Sequence, residues 1–361
     1  MTGKMKAQVF YEPEVMKMEQ KDIPQIADNE VLVKVKSVGI CGSDISYYYG
    51  HSPLDTANGK GPLVLGHEFS GEVVEVGGIP KSLGLFEVGD RVTCNPVQQC
   101  NSCERCSEGQ FNLCSNPTVA GVNVDGAFAE YCKLSYTHVY KIPDTMSYDH
   151  AAVLEPLACA TYGVKKLDVT PGDFVVVFGP GPIGIMMTQM IKASGAGKIA
   201  MVGIFDYPLS VALESGADYV INVADKSSKW YTDDVTAKIK ELSGGKMASR
   251  VIVPTAAKQA LQDALTVSGP ASTIVYFGLP GPEDTIEVPA LDTITSDKTI
   301  KFSWLAPLVW PTAIRCVGNG LMDLDKLITH KFSLEDTEVG IKFMKESPDD
   351  KLKGVVIVDA E

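Results

Sequence analysis

Positive charge is in short supply in this chain: 32 Lys and Arg stand against 45 Asp and Glu over 361 residues, a formal net charge of −13. That balance repels nucleic acid and anionic membrane surfaces over long range and leaves a small neutral molecule as the easier ligand. The N-terminal Met-Thr-Gly-Lys-Met-Lys-Ala lacks the apolar core of a secretory signal. A membrane span is also missing, because the longest uncharged stretch, Phe174 to Ile191, is broken by Gly179, Pro180, Gly181, Pro182 and Gly184. Neither an internal repeat nor a low-complexity segment is present. Nine cysteines, an odd number without a leader, point to the reducing cytoplasm. What remains is a soluble globular chain, 45% hydrophobic and 21% charged, long enough for two domains.

Four of the cysteines are concentrated. Cys100, Cys103, Cys106 and Cys114 stand at Cys-x2-Cys-x2-Cys-x7-Cys in a stretch rich in Asn, Gln, Glu and Ser. Cysteines are usually buried among apolar residues, whereas thiolates at this spacing can wrap one zinc ion tetrahedrally. Two disulfides, or four unrelated thiols, would leave their density on a polar loop unexplained.

Residues 1 to about 150 read as β-rich, with period-two alternation in Glu30 to Val38 and in Gly71 to Gly77. From Phe174 the pattern changes to apolar runs separated by helix-length segments: 174–178, 199–202, 219–222, 250–254 and 273–277. Buried strands spaced by helices predict a parallel, doubly wound sheet, an α/β fold. After about residue 290 the alternation stops. Ser333-Leu-Glu-Asp336 then predicts a helix start of capping-box type, and Val355 to Val358 a last strand.

Gly179-Pro180-Gly181-Pro182-Ile183-Gly184 follows the first run of the second half and opens a helix-compatible segment, Ile185 to Ser194. In that context Gly179 permits the tight turn, Gly181 lets backbone approach a pyrophosphate, and Gly184 lets helix pack on strand. The acidic residue expected about 20 positions later is replaced by Gly203. No Lys or Arg occurs between Ile199 and Asp225 to meet a 2′-phosphate, so NAD and NADP both stay open. The balance leans to NAD, with Asp206 as a substitute ribose acceptor.

Cys41 ends one alternating strand, His67 and Glu68 begin another, and Glu155 stands in Leu-Glu-Pro-Leu-Ala. A thiol, an imidazole and two carboxylates can surround zinc and leave a position for substrate. Spacing alone does not bring them together; buried thiol, satisfied histidine and solvated glutamate are the ordinary alternatives. Together with the cysteine ladder and the glycine turn, the segments Gly39-Ile-Cys-Gly-Ser-Asp44, Gly66-His-Glu-Phe-Ser-Gly-Glu-Val-Val-Glu-Val-Gly77, Val88-Gly-Asp-Arg-Val92 and Leu154-Glu-Pro-Leu-Ala158 resemble the zinc-containing alcohol dehydrogenases of the medium-chain superfamily. The resemblance runs from about residue 5 to residue 358. It is nearest to the sorbitol and threonine dehydrogenases, since Glu155 stands where liver-type alcohol dehydrogenases have a cysteine ligand.

The resemblance implies a GroES-like catalytic domain (1–156), a Rossmann domain (157–292) and a C-terminal return (293–361). It implies that the ladder holds a structural zinc, and that Cys41, His67, Glu68 and Glu155 surround a catalytic one, directly or through water. Ser43 matches the hydroxyl that starts proton release; Ser46 replaces a histidine found in many relatives, which leaves solvent, ribose hydroxyls or His51 for the outer steps. Asp44 either orients His67 or is a solvated aspartate. Tyr47 matches a substrate-facing position, and Phe277, Gly278 and Leu279 should face the nicotinamide. Leu305-Ala306 replace an arginine-tyrosine pair of sorbitol dehydrogenases, which suggests a less polar or differently hydroxylated substrate. The expected activity is oxidation of a secondary alcohol of a polyol, sugar or related compound with NAD(P). An amino-alcohol substrate, or a non-catalytic nucleotide sensor on this scaffold, are the alternatives. Relatives pair as dimers or tetramers, and a strand near Thr285 to Val288 is the expected contact.

Overall fold

The computed structural model describes residues 1–52, 61–346 and 350–358. Its first half is organised about the strand Glu30–Gly39, whose valines and Leu32 are buried. On one edge this strand pairs antiparallel with Glu68–Val76; on the other it pairs with Tyr131–Ser135 along its first half and with Lys353–Ile357 along its second. The sheet continues through Arg91–Cys94 and Val139–Lys141 on one side and Ile328–Ser333 on the other. Register then does the positioning. Gly39 lies opposite both Glu68 and Val355, so Cys41, Glu68 and Lys353 collect at one end of the sheet although they come from distant parts of the chain.

The second half is a six-stranded parallel sheet in the order Tyr219–Asn222, Lys198–Gly203, Phe174–Phe178, Ala248–Val253, Ser268–Tyr276, Thr299–Phe302. Strand order reverses between Phe174–Phe178 and Ala248–Val253, which opens the crevice where such sheets bind ligands. One core, built on Val175, Ile185, Met187 and Ile252, covers one face; a second, built on Val176, Val251, Ile239 and Leu261, covers the other. Helix Leu154–Leu167 joins the halves: Glu155 lies in its first turn, and its body packs on helices Pro182–Ala193 and Trp310–Gly318.

Three local expectations are revised. The last helix is Thr337–Glu346, four residues later than the Ser333 start, because Ser333 closes the strand Ile328–Ser333 and its Oγ donates to Asp336 Oδ2 at 2.7 Å in a turn. Residues 285–288 are assigned to no strand within this chain; there Gln262 Nε2 donates to Glu287 O at 2.9 Å and Glu287 N donates to Gln262 Oε1 at 3.2 Å. The sheet edge is Thr299–Phe302, which extends the parallel sheet past residue 292. Among the described residues no helix is long and apolar enough to cross a membrane.

Candidate active site

Cys41, His67 and Glu68 converge: one ligand atom from each lies within 4.8 Å of the others. Cys41 caps the helix Gly42–Tyr48, and its backbone N–H donates to Asp44 Oδ2 at 2.9 Å. The other Asp44 oxygen accepts from Gly66 N at 3.2 Å and faces His67 Nδ1 at 3.5 Å. Asp44 is fully buried, so of its two readings the solvated one is excluded. His67 Nε2, on the opposite side of the ring, is 3.5 Å from Ser43 Oγ. Burial would lower the His67 pKa, yet the charges of Asp44 and Cys41 carry it well above its ordinary value. The site attracts positive charge.

Glu68 strengthens that conclusion. Fully buried, it has one oxygen, Oε1, without a partner; the other meets the ammonium of Lys353 as an ion pair. A buried carboxylate with an unused oxygen is costly unless a cation completes it. Thiolate, imidazole and carboxylate oxygen form a donor set that suits zinc. Glu155 is not within that 4.8 Å group, but it is buried near it. Burial pushes its pKa up to about 7; His67 opposes the rise and Glu68 adds to it. Cys159, one helical turn on, donates its S–H to Glu155 Oε1 at 3.5 Å. Tyr47 is buried in the electrostatic reach of His67, Asp44 and Cys41, and burial raises its pKa. His51 is exposed.

The ladder also closes. The sulfurs of Cys100, Cys103, Cys106 and Cys114 lie within 4.8 Å of one another, and all nine cysteines are free thiols. Backbone N–H groups of Ser115 and Cys106 lower Cys103 to about 5, whereas burial and the neighbouring sulfurs push Cys106 up to about 12. Four thiolates this close are mutually unfavourable without a cation among them, and a tetrahedral zinc fits that need.

At the glycine turn each residue has its own reason. Gly179 has φ +106°; a Cβ on Gly184 would stand 1.9 Å from Gly179 O; and Gly181 has nothing within 4 Å of a Cβ, so backbone is open there to a ligand. Pro182 and Ile183 begin the helix. A Cβ on Gly203 would lie 2.5 Å from Pro180 Cγ, so the ring fills the space that an acidic side chain would leave by. Asp206 starts the next helix, and its Oδ1 accepts from Asn222 Nδ2 at 2.7 Å and Ser228 Oγ at 2.6 Å. Phe277 and Gly278 follow the fifth strand of the sheet, where both backbone N–H groups donate to Val253 O, and Leu279 is exposed beside them. Sequence reasoning missed Lys353 and Cys159. The signal for Lys353 was a charge at the head of the apolar run Gly354 to Val358; for Cys159 it was its i+4 spacing from Glu155.

Comparison with known proteins agrees with this architecture. The alcohol dehydrogenase GroES-like domain matches residues 27–144, and the zinc-binding dehydrogenase domain matches residues 182–319. Sorbitol dehydrogenase of Bacillus subtilis (strain 168) is 32% identical over 355 residues, covering 98% of this chain and 97% of that protein. The crystal structure of 2R,3R-butanediol dehydrogenase from Bacillus subtilis has a TM-score of 0.87 at 30% identity, covering 98% of this chain and 100% of that one. An alcohol dehydrogenase from E. coli CFT073, solved with NADH, also gives 0.87 at 30% identity, covering 98% and 99%. The chain therefore belongs to the zinc-dependent medium-chain alcohol dehydrogenases, in the neighbourhood of the sorbitol dehydrogenases, and is an NAD(P)-linked oxidoreductase of alcohols or polyols.

Proposed function

We propose that this enzyme oxidises a secondary alcohol of a small hydroxylated compound, with Cys41, His67 and Glu68 as the metal ligands and Glu155 acting at the same centre through water. The observation that carries this reading is the convergence of those three donors on a pocket where Glu68 Oε1 has no other partner. Zinc bound there supplies a Lewis acid that makes an alcohol proton easier to lose, and the nicotinamide supplies the hydride acceptor. The chain does the rest. Asp44 holds the His67 ring with Nδ1 toward itself, which leaves Nε2 for the metal. Ser43, beside Nε2, receives the proton and hands it toward solvent. Lys353 compensates Glu68, so the pocket is not left with uncancelled negative charge. The ladder cysteines hold the structural zinc.

For the cofactor, Gly179, Gly181 and Gly184 cradle the pyrophosphate, and Phe277, Gly278 and Leu279 border the nicotinamide. The second oxygen of Asp206 accepts from the ribose, and its charge disfavours a 2′-phosphate. NAD is the preferred cofactor on this reading. The similar E. coli structure solved with NADH supports it. The exposed Leu291, Ile294 and Phe302 beside the edge strand Thr299–Phe302 suit pairing into a homodimer or homotetramer, and the free thiols suit the cytoplasm. The test is a panel of polyols, sugars, amino alcohols and simple secondary alcohols, followed by nicotinamide absorbance with NAD and with NADP. Turnover confined to amino alcohols, or a large NADP preference, would overturn the respective part.

A further inference from the structure

Glu155 stands outside the group formed by Cys41, His67 and Glu68, yet the charges of His67, Glu68 and Lys353 all act on it. A zinc with three protein ligands keeps a position for substrate, whereas a fourth protein ligand closes it. What holds this carboxylate back therefore decides whether the centre is open.

The backbone of Glu155 is fixed, because it lies in the first turn of the helix Leu154–Leu167, where Leu154, Leu157, Ala158 and Ala160 are fully buried. Packing constrains its side chain less. Glu155 borders a cavity of ≈ 20 Å³ shared with Val97, Phe111, Leu305 and Ala306, so the carboxylate has space beside it and more than one rotamer to choose from. A hydrogen bond makes the choice. Cys159, four residues on and so on the same face of the helix, donates its S–H to Glu155 Oε1 at 3.5 Å, and no other side chain among the described residues donates to this carboxylate. The partly buried thiol is itself within electrostatic reach of Cys41 and Glu68, which places the bond at the edge of the donor group and not on a remote face of the helix.

We propose that Cys159 is a positioning residue whose thiol holds the Glu155 carboxylate one step back from the metal, so that Glu155 works through water and the fourth position stays free for the alcohol. The inference rests on the reading that Glu155 acts at this centre. A thiol is a weak donor, so the bond biases the carboxylate without locking it, and loss of the thiol shifts the balance toward the metal. Deleting Cys159 should then tighten the metal. A merely structural cysteine would, on deletion, loosen it or leave it unchanged.

The test follows release of the zinc that distinguishes the parent from His67→Ala, read by the absorbance of excess pyridylazoresorcinol. In Cys159→Ala release should slow by about tenfold or more, and turnover of the fastest alcohol of the panel should fall by a similar factor. Cys159→Val, nearer in volume, serves if Cys159→Ala does not fold. Cys159→Ser, which keeps a donor, should return both readings toward the parent, and adding Glu155→Gln to Cys159→Ala should abolish the slowing. Release from Cys159→Ala at the parental rate or faster, or slowing that persists in the double variant, would overturn the role of Cys159 and leave the centre as described. A Glu155→Gln enzyme with parental turnover and parental zinc release would instead remove Glu155 from the centre, and this proposal with it.

Discussion

Lys353 and Glu68 meet as a buried ion pair, although one opens the strand Lys353–Ile357 and the other directly follows His67. Lys353 Nζ also donates to Ile40 O at 2.9 Å, one residue from Cys41. Burial alone would lower the pKa of this lysine, but Glu68, Cys41 and Asp44 raise it above the ordinary value. The strand Lys353–Ile357 therefore closes on the Cys41, His67 and Glu68 cluster as well as on the sheet.

Removing that ammonium should be severe. Lys353→Met leaves a buried carboxylate without its charge partner, and loss of one member of such a pair typically costs about 3–5 kcal/mol. Thermal unfolding and turnover should both fall, while Lys353→Arg retains a measurable part of each. Parental stability in Lys353→Met would contradict the role given to the pair.

Cys103 should act on the scaffold. A Cys103→Ser protein is expected to lose the ladder zinc and melt at lower temperature, since structural zinc contributes on the order of 10 kcal/mol in small model sites. Metal analysis alongside calorimetry checks this. A variant with full metal content and an unchanged Tm would show that the ladder is not a zinc site.

Gly203 offers a test of local packing. Because Pro180 fills the space in front of it, Gly203→Asp alone should destabilise the protein by roughly 1–3 kcal/mol. Adding Pro180→Ala should restore stability and raise the ratio of kcat/KM for NAD over NADP, as the new carboxylate reaches the ribose. An equally unstable double variant would mean that Pro180 is not the obstruction.

His138 sets an acid limit on stability. Burial lowers its pKa from 6.5 to about 4, with its ring held between Thr137 Oγ1 and Gln99 Oε1. Above 6.5 neither state binds a proton there, so the residue has no pH effect. Between 6.5 and about 4 the unfolded chain takes up a proton that the native one refuses, and stability falls by up to about 3 kcal/mol. Denaturant unfolding at stepped pH should show this slope in the parent and lose it in His138→Asn. A slope of the same size in both would assign the acid limit to other groups.

The parts legible in the sequence were those with local signatures. The ladder and the glycine turn each lie within a few residues, and their roles follow from spacing and backbone geometry. Strand alternation likewise located Glu30–Gly39 and the runs of the parallel sheet. What stayed hidden depends on contacts between distant segments: the approach of Lys353 to Glu68 through strand register, and the Asn112 bond to Trp304 O between two loops. The convergence of Cys41, His67 and Glu68 was available only through family resemblance. The start of the last helix was misplaced because Ser333 serves a strand end and a turn, both of which use the same short polar residues as a helix cap.

The central claim is that turnover depends on a metal site distinct from the ladder. It is tested most directly by the zinc content of folded His67→Ala protein, measured on the same sample as its rate of NAD reduction. The two donor groups predict two zinc ions per chain in the parent and one in the variant, with turnover abolished and the fold retained. A variant that keeps both ions, or keeps its rate, would contradict the account.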